Sequence, residues 1–180
     1  MIYEFLADGF EEIEALETAD ILRRASVDVV LVGVGSKNVT GSHGITVVCD
    51  RTADEVSEMD KPDGVILPGG MPGTLNLERS DDVKSILDYA VKSGKLICAI
   101  CAAPSVLGHR NILNGKKATC FPGFEDDLYG AEVTGKQVVT DGNIITAKGA
   151  GAASDFGFAI VEYFKGKKCA DELKRSMQYK

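Results

Sequence analysis

Short uninterrupted apolar runs alternate along this chain with longer segments whose apolar residues recur every three or four positions. The runs read as strands buried on both faces, and the periodic segments as helices laid against them. Met1 to Leu6, Val27 to Gly33, Gly64 to Leu67 and Leu96 to Ile100 are the main runs. Ile45 to Cys49, Ala118 to Cys120, Gln137 to Thr140 and Ile144 to Ala147 read as further short strands. Asp8-Gly9-Phe10-Glu11 has capping-box spacing, with Asp8 as N-cap, and predicts a helix to about Ala25. Ile13, Leu16, Ala19 and Leu22 would line its buried face. Asp54 to Met59 predicts a short helix, and Asp81 to Ser93 a longer one with Gly94 as its C-cap. A helix after Cys101 should run to about His109, another from Gly151 to Phe164, and a terminal one from Cys169 to Arg175.

Alternating strands and helices imply an α/β fold, a largely parallel sheet covered on both faces. No repeat or linker divides the chain, so residues 1–180 read as one domain. In such folds ligands bind beyond the carboxyl ends of the strands. Leu6 to Glu14, Leu67 to Gly70 and Ile100 to Ala102 all fall at that edge.

Composition narrows the function classes. A net charge of −7 disfavours a nucleic-acid backbone as primary partner. Five scattered cysteines do not make a secreted disulfide framework. No apolar stretch approaches the roughly 18 residues of a membrane span and no signal segment opens the chain, so the expected address is reducing and cytoplasmic.

Cys101 carries the strongest chemical signal. The strand Leu96 to Ile100 ends there, small residues turn the chain, and Pro104 suits the first turn of a helix. A cysteine at such a turn meets the positive end of a helix dipole, where thiol pKa values fall from about 8.5 to roughly 3.5–7.5. The arrangement matches the nucleophile elbow of hydrolases. An inert buried cysteine in an α/β turn accounts for the turn equally well. Pro68-Gly69-Gly70 leaves backbone N–H groups accessible at a strand end, as an oxyanion hole or as a plain turn. Gly33-Val34-Gly35 lacks the third glycine and the helix of a dinucleotide fingerprint. Gly149-Ala150-Gly151 opens a helix and could hold an anion, although close backbone packing explains it better.

Cys98-x-x-Cys101 is poorly placed for a disulfide. Bridged Cα atoms lie within about 6.8 Å, whereas strand residues three apart are separated by about 10 Å. A zinc site lacks a second ligand pair. His43 and His109 are the only histidines, and neither is placed to activate Cys101. A carboxylate is the better helper. Glu11, Glu12, Glu14 and Glu17 crowd the first helix, and periodicity alone does not say which turns inward.

These residues resemble the ThiJ/PfpI superfamily, and within it the protein deglycase and glyoxalase III branch. Asp8-Gly9-Phe10-Glu11-Glu12-Ile13-Glu14, Leu67-Pro68-Gly69-Gly70, Ala99-Ile100-Cys101-Ala102-Ala103-Pro104 and the segment from Gly149 to Val161 match in order and spacing. The resemblance implies a flavodoxin-like three-layer α/β/α sandwich and a homodimer. It implies Cys101 as nucleophile, Glu14 as its buried carboxylate and the N–H groups of Gly70 and Ala102 as oxyanion donors, with Gly69 in support. Arg24, of the pair Arg23-Arg24, would approach the partner subunit's site. Two departures stand out. The branch's histidine before a proline is Phe121 here, and the histidine that follows the cysteine in peptidase-like members is Ala102. A peptidase is therefore the least favoured reading. The resemblance implies cofactor-independent chemistry on methylglyoxal-type dicarbonyls or their early adducts. The rival it leaves is an oxidative-stress sensor or redox-regulated chaperone using the same cysteine.

Overall fold

A computed structural model describes residues 1–179. In chain order the strands are β1 (Ile2–Leu6), β2 (Val29–Gly33), β3 (Asn38–Thr40), β4 (Thr46–Val48), β5 (Arg51–Thr52), β6 (Gly64–Leu67), β7 (Leu96–Ile100), β8 (Lys117–Ala118), β9 (Glu132–Val133), β10 (Val138–Asp141) and β11 (Ile144–Ala147). The helices are α1 (Glu12–Arg24), α2 (Gly73–Arg79), α3 (Asp81–Lys92), α4 (Pro104–His109), α5 (Ala153–Lys165) and α6 (Lys167–Ser176).

Seven strands form one sheet in the order β10-β11-β7-β6-β1-β2-β5. Every pairing in it is parallel except β10 with β11. The alternation of side chains along each strand feeds two cores. Tyr3, Phe5, Val65, Leu67 and Ile97 point to the face covered by Val83, Ile86, Leu87 and Ala90 of α3. Ile2, Ile66, Cys98, Ile100 and Ile145 point to the face covered by Ile21 and Leu22 of α1 and Phe156, Ile160 and Val161 of α5. The result is the three-layer, flavodoxin-like α/β/α sandwich, with the turns after β1, β6 and β7 gathered at one edge.

The first helix differs from the pattern predicted. It begins at Glu12, because Gly9 turns with φ +87° and Glu11, not Asp8, caps the helix by accepting the Glu14 N–H at 2.8 Å. Asp8 instead accepts the N–H of Thr40. The buried stripe is accordingly Glu14, Ala15, Thr18, Ala19 and Leu22, while Ile13 is exposed. The segment Gly35 to Gly44, where no strand was predicted, supplies β3, which pairs with β4 as a separate hairpin. Asp54 to Met59 forms two 3₁₀ turns, since Val56 and Ser57 between them are extended. Helix α2 lay outside the predicted elements. Among the described residues no helix is long and apolar enough to cross a membrane.

Candidate active site

Strand β7 delivers Cys101 to the sheet edge in a left-handed conformation, φ +66°. That backbone is unfavourable for a side chain bearing a Cβ, and it marks an elbow held by its surroundings. The holding bonds are the Cys101 N–H donated to the Ala147 carbonyl at 2.9 Å and the Phe121 N–H donated to the Cys101 carbonyl at 2.8 Å. Pro104 opens α4 as expected. The thiol is half-buried rather than sealed in, whereas Cys98, two residues inside the strand end, is fully buried.

Glu14 reaches the same place from α1. Its Oε2 accepts the Gly69 N–H at 2.8 Å, and its Oε1 is buried without a hydrogen-bond partner. Glu14 and Cys101 both close on the same side of Gly69. A Cβ on Gly69 would lie 2.6 Å from Cys101 Cβ and 2.7 Å from Glu14 Oε2, so no other residue fits between them. Gly70 is equally confined: its φ is +88°, and a Cβ there would sit 2.4 Å from the Glu11 nitrogen. The glycines thus let the β6 turn approach the cysteine and the carboxylate closely. The N–H groups of both Gly70 and Ala102 point at the Cys101 sulfur.

The electrostatics correct one expectation. A resting thiolate was predicted from the helix dipole, but burial and the adjacent Glu14 carboxylate push the thiol up to about 12, against the opposing pull of the Ala102 and Gly70 N–H groups. Helix α4 is only six residues long, so its dipole is a weak counterweight. Burial likewise pushes Glu14 up to about 7, with the Cys101 side chain and then the Gly69 N–H opposing. Two acids this close titrate as a unit, because a second negative charge is opposed by the first. Below about pH 7 the pair holds both protons, and above it the pair carries one charge and shares the remaining proton.

The other predicted groups lie apart or act indirectly. Within this chain Arg24 is an exposed partner of Asp20, at 2.6 Å, and does not reach the pair. His109 bonds Glu78 at 2.6 Å and lies 3.4 Å from Asp127, away from the sulfur. Glu12, unassigned by periodicity, is buried and holds the β3–β4 turn. It accepts the His43 N–H at 2.7 Å, faces the His43 ring nitrogen Nδ1 at 2.9 Å and lies 3.4 Å from the Ile45 N–H. Burial would raise this carboxyl, yet the His43 bonds hold it at about 2. The neighbouring Glu11 Oε1 lies 3.9 Å from the same ring nitrogen. These oxygens therefore tie the hairpin to the loop that starts α1. Sequence spacing could not reveal this, since 31 positions separate Glu12 from His43.

A half-buried cysteine on a strand–helix elbow, beside a buried carboxylate and two converging N–H groups, defines the class of α/β proteins with a cysteine elbow. The DJ-1/PfpI family model matches residues 1–163. The chain belongs to the DJ-1/PfpI family. It is 37% identical over 175 residues to Protein dj-1beta of Drosophila melanogaster, covering 96% of this chain and 93% of the fly protein. It is 34% identical over 165 residues to the glutathione-independent glyoxalase DJR-1.2 of Caenorhabditis elegans, covering 91% and 87% of the two chains. The structure of oxidised Toxoplasma gondii DJ-1 superposes with a TM-score of 0.94 at 32% identity, over 99% of this chain and 97% of that one.

Proposed function

We propose that the protein is a cofactor-independent glyoxalase III or deglycase that converts a small 2-oxoaldehyde, of the methylglyoxal type, to a 2-hydroxy acid. The observation that carries this is Glu14 Oε1, a buried, unpartnered carboxylate oxygen beside a half-buried cysteine. The thiol of Cys101 adds to the aldehyde carbon. A carbon–sulfur bond forms, the thiol proton passes to Glu14, and the carbonyl π electrons move onto oxygen, held by the Gly70 and Ala102 N–H groups. Protonation of that oxygen gives a hemithioacetal. Glu14 then removes the proton from the former aldehyde carbon and returns one to the adjacent carbon, while the hydroxyl proton passes to the neighbouring ketone oxygen, leaving a thioester of the 2-hydroxy acid. Water cleaves the thioester and restores the thiol. The sum is substrate plus water, with no net redox change, and Gly69 keeps the two side chains in register throughout. Deglycation applies the same steps to early adducts of amines or thiols. Similarity to a protein named as a glutathione-independent glyoxalase supports this reading.

The test is lactate formation from methylglyoxal by the wild type and by Cys101→Ala. Loss of turnover in the variant is expected, and equal turnover in both would sink the proposal. A second reading, an oxidation sensor or redox-regulated chaperone, draws on the relative whose structure is of an oxidised form. It predicts oxidation of Cys101 to a sulfinate by peroxide without dicarbonyl turnover.

The same reading includes a homodimer. Ile13 and Ile45 are exposed beside the Glu12 anchor, and Val48 is exposed on the same hairpin. Their burial against a second copy would bring Arg24 near the partner's site. Light scattering should give twice the 19.1 kDa chain mass at micromolar concentration.

A further inference from the structure

An open cavity of about 350 Å³ lies near Cys101, walled by Phe121, Pro122, Gly149, Ala150 and Ala152. Lys148 is its only charged lining residue. Its position relative to the sulfur is set by Gly149: a methyl group there would sit 3.2 Å from Phe121 Cδ2 and 4.0 Å from Cys101 Sγ. Phe121 is fixed in turn by donating its N–H to the Cys101 carbonyl, yet its side chain stays 47% exposed. An exposed aromatic face one van der Waals layer from a reactive sulfur is a surface awaiting an apolar occupant.

The three directions around the sulfur have different chemistry. Gly70 and Ala102 present N–H groups suited to an oxyanion, and Glu14 beside the sulfur presents the group that moves protons. Phe121 and Gly149 present carbon. A carbonyl compound bound to sulfur with its oxygen on the N–H groups and its reacting hydrogen toward Glu14 must direct its remaining substituent along the Phe121 wall. We infer that Phe121 is a specificity-determining residue, and that this site prefers 2-oxoaldehydes bearing an aryl substituent over those bearing hydrogen or methyl. For the name of its substrate the inference rests on the dicarbonyl reading above.

The experiment has two arms. In the first, kcat/KM is measured for phenylglyoxal, methylglyoxal and glyoxal with the wild type and Phe121→Leu. An aromatic contact of this kind contributes about 3- to 10-fold, so phenylglyoxal should lead methylglyoxal by that factor, and Phe121→Leu should erase the lead. The second arm needs no turnover. Cys101 is alkylated by phenacyl bromide and by bromoacetone, each rate normalised to that of glutathione. In this step the sulfur–carbon bond forms, bromide leaves with the electron pair, and the thiol proton passes to base. The aryl reagent should again be favoured in the wild type and not in Phe121→Leu. If no dicarbonyl is turned over but the aryl selectivity of alkylation persists, the glyoxalase reading fails and the aryl subsite stands. If methylglyoxal is turned over without aryl preference in either arm, the subsite is overturned and the reaction stands. A preference that survives Phe121→Leu overturns the role given to Phe121.

Discussion

Cys98 and Cys101 stand three positions apart on one strand and its turn, and each has a glutamate as electrostatic neighbour. Glu4 lies two strands from Cys98 on the same sheet face, with Ile66 between them, whereas Glu14 lies directly beside Cys101. The functional groups are the same, but their surroundings oppose each other. Glu4 lies in the middle of β1, between Ile2 and Leu6 on the same face, with both carboxylate oxygens buried and unpartnered. Burial drives both Glu4 and Cys98 well above their ordinary ranges, with Arg23 giving Glu4 slight relief. Neither Glu4 oxygen has a donor, as expected in the middle of a strand whose backbone N–H groups serve the sheet ladder. At Cys101 the ladder ends. The N–H groups of Gly69, Gly70 and Ala102 are free of strand pairing and turn toward the carboxylate and the sulfur. The candidate chemistry of this fold therefore sits where β-pairing stops, and depends on that place more than on the identity of thiol and carboxyl.

The largest effect expected from this contrast is in thiol accessibility. Cys101 should react with iodoacetamide first among the five cysteines. Cys98 can react only through opening of the core, which costs about 5 kcal/mol or more and slows labelling by about 10³-fold at the least. Mass mapping over time checks this, and equal rates at Cys98 and Cys101 would remove the contrast altogether.

Glu14→Gln should lower dicarbonyl turnover by about 10²–10⁴, as expected when a general acid–base is lost. In the wild type, raising the pH through about 7 ionises Glu14 and supplies the base, so kcat/KM should climb across that range and then level off. The variant should lack this limb. It also removes the negative charge that burdens the thiol, so thiolate absorbance should appear at lower pH than in the wild type. A rising limb near pH 7 that persists in Glu14→Gln would assign the base elsewhere.

The smallest effect concerns the inert pair. Glu4→Met preserves volume and removes a buried group without partners, so it should stabilise the fold by about 1–3 kcal/mol. The sign of the pH dependence follows from burial. Glu4 is held protonated in the folded chain and ionises in the ordinary carboxylate range when unfolded, so the wild type loses stability as pH rises above that range. Urea titrations should show the gain in Glu4→Met growing from acid toward neutral pH, while dicarbonyl turnover stays at the wild-type level. A destabilised variant would mean that Glu4 has an unrecognised partner.

The chain's own pattern determined the core strands β1, β2, β6, β7 and β11 and the helices α1, α3 and α5, because apolar runs and helical periodicity are local properties. It determined Cys101 as the elbow residue, since a strand, small residues and a proline in succession leave few alternatives. Periodicity did not decide which glutamate turns inward. Glu11 caps α1, Glu12 anchors a hairpin 31 positions away and Glu14 enters the site, and each role depends on a partner brought by the tertiary fold. The burial of Glu4 ran against its charge, because its place at the centre of β1 outweighed the desolvation of one carboxyl. The thiol's acidity was also a tertiary matter. A helix N-terminus alone would lower it, but burial and the carboxylate delivered by α1 act on the same sulfur more strongly than the two N–H groups do.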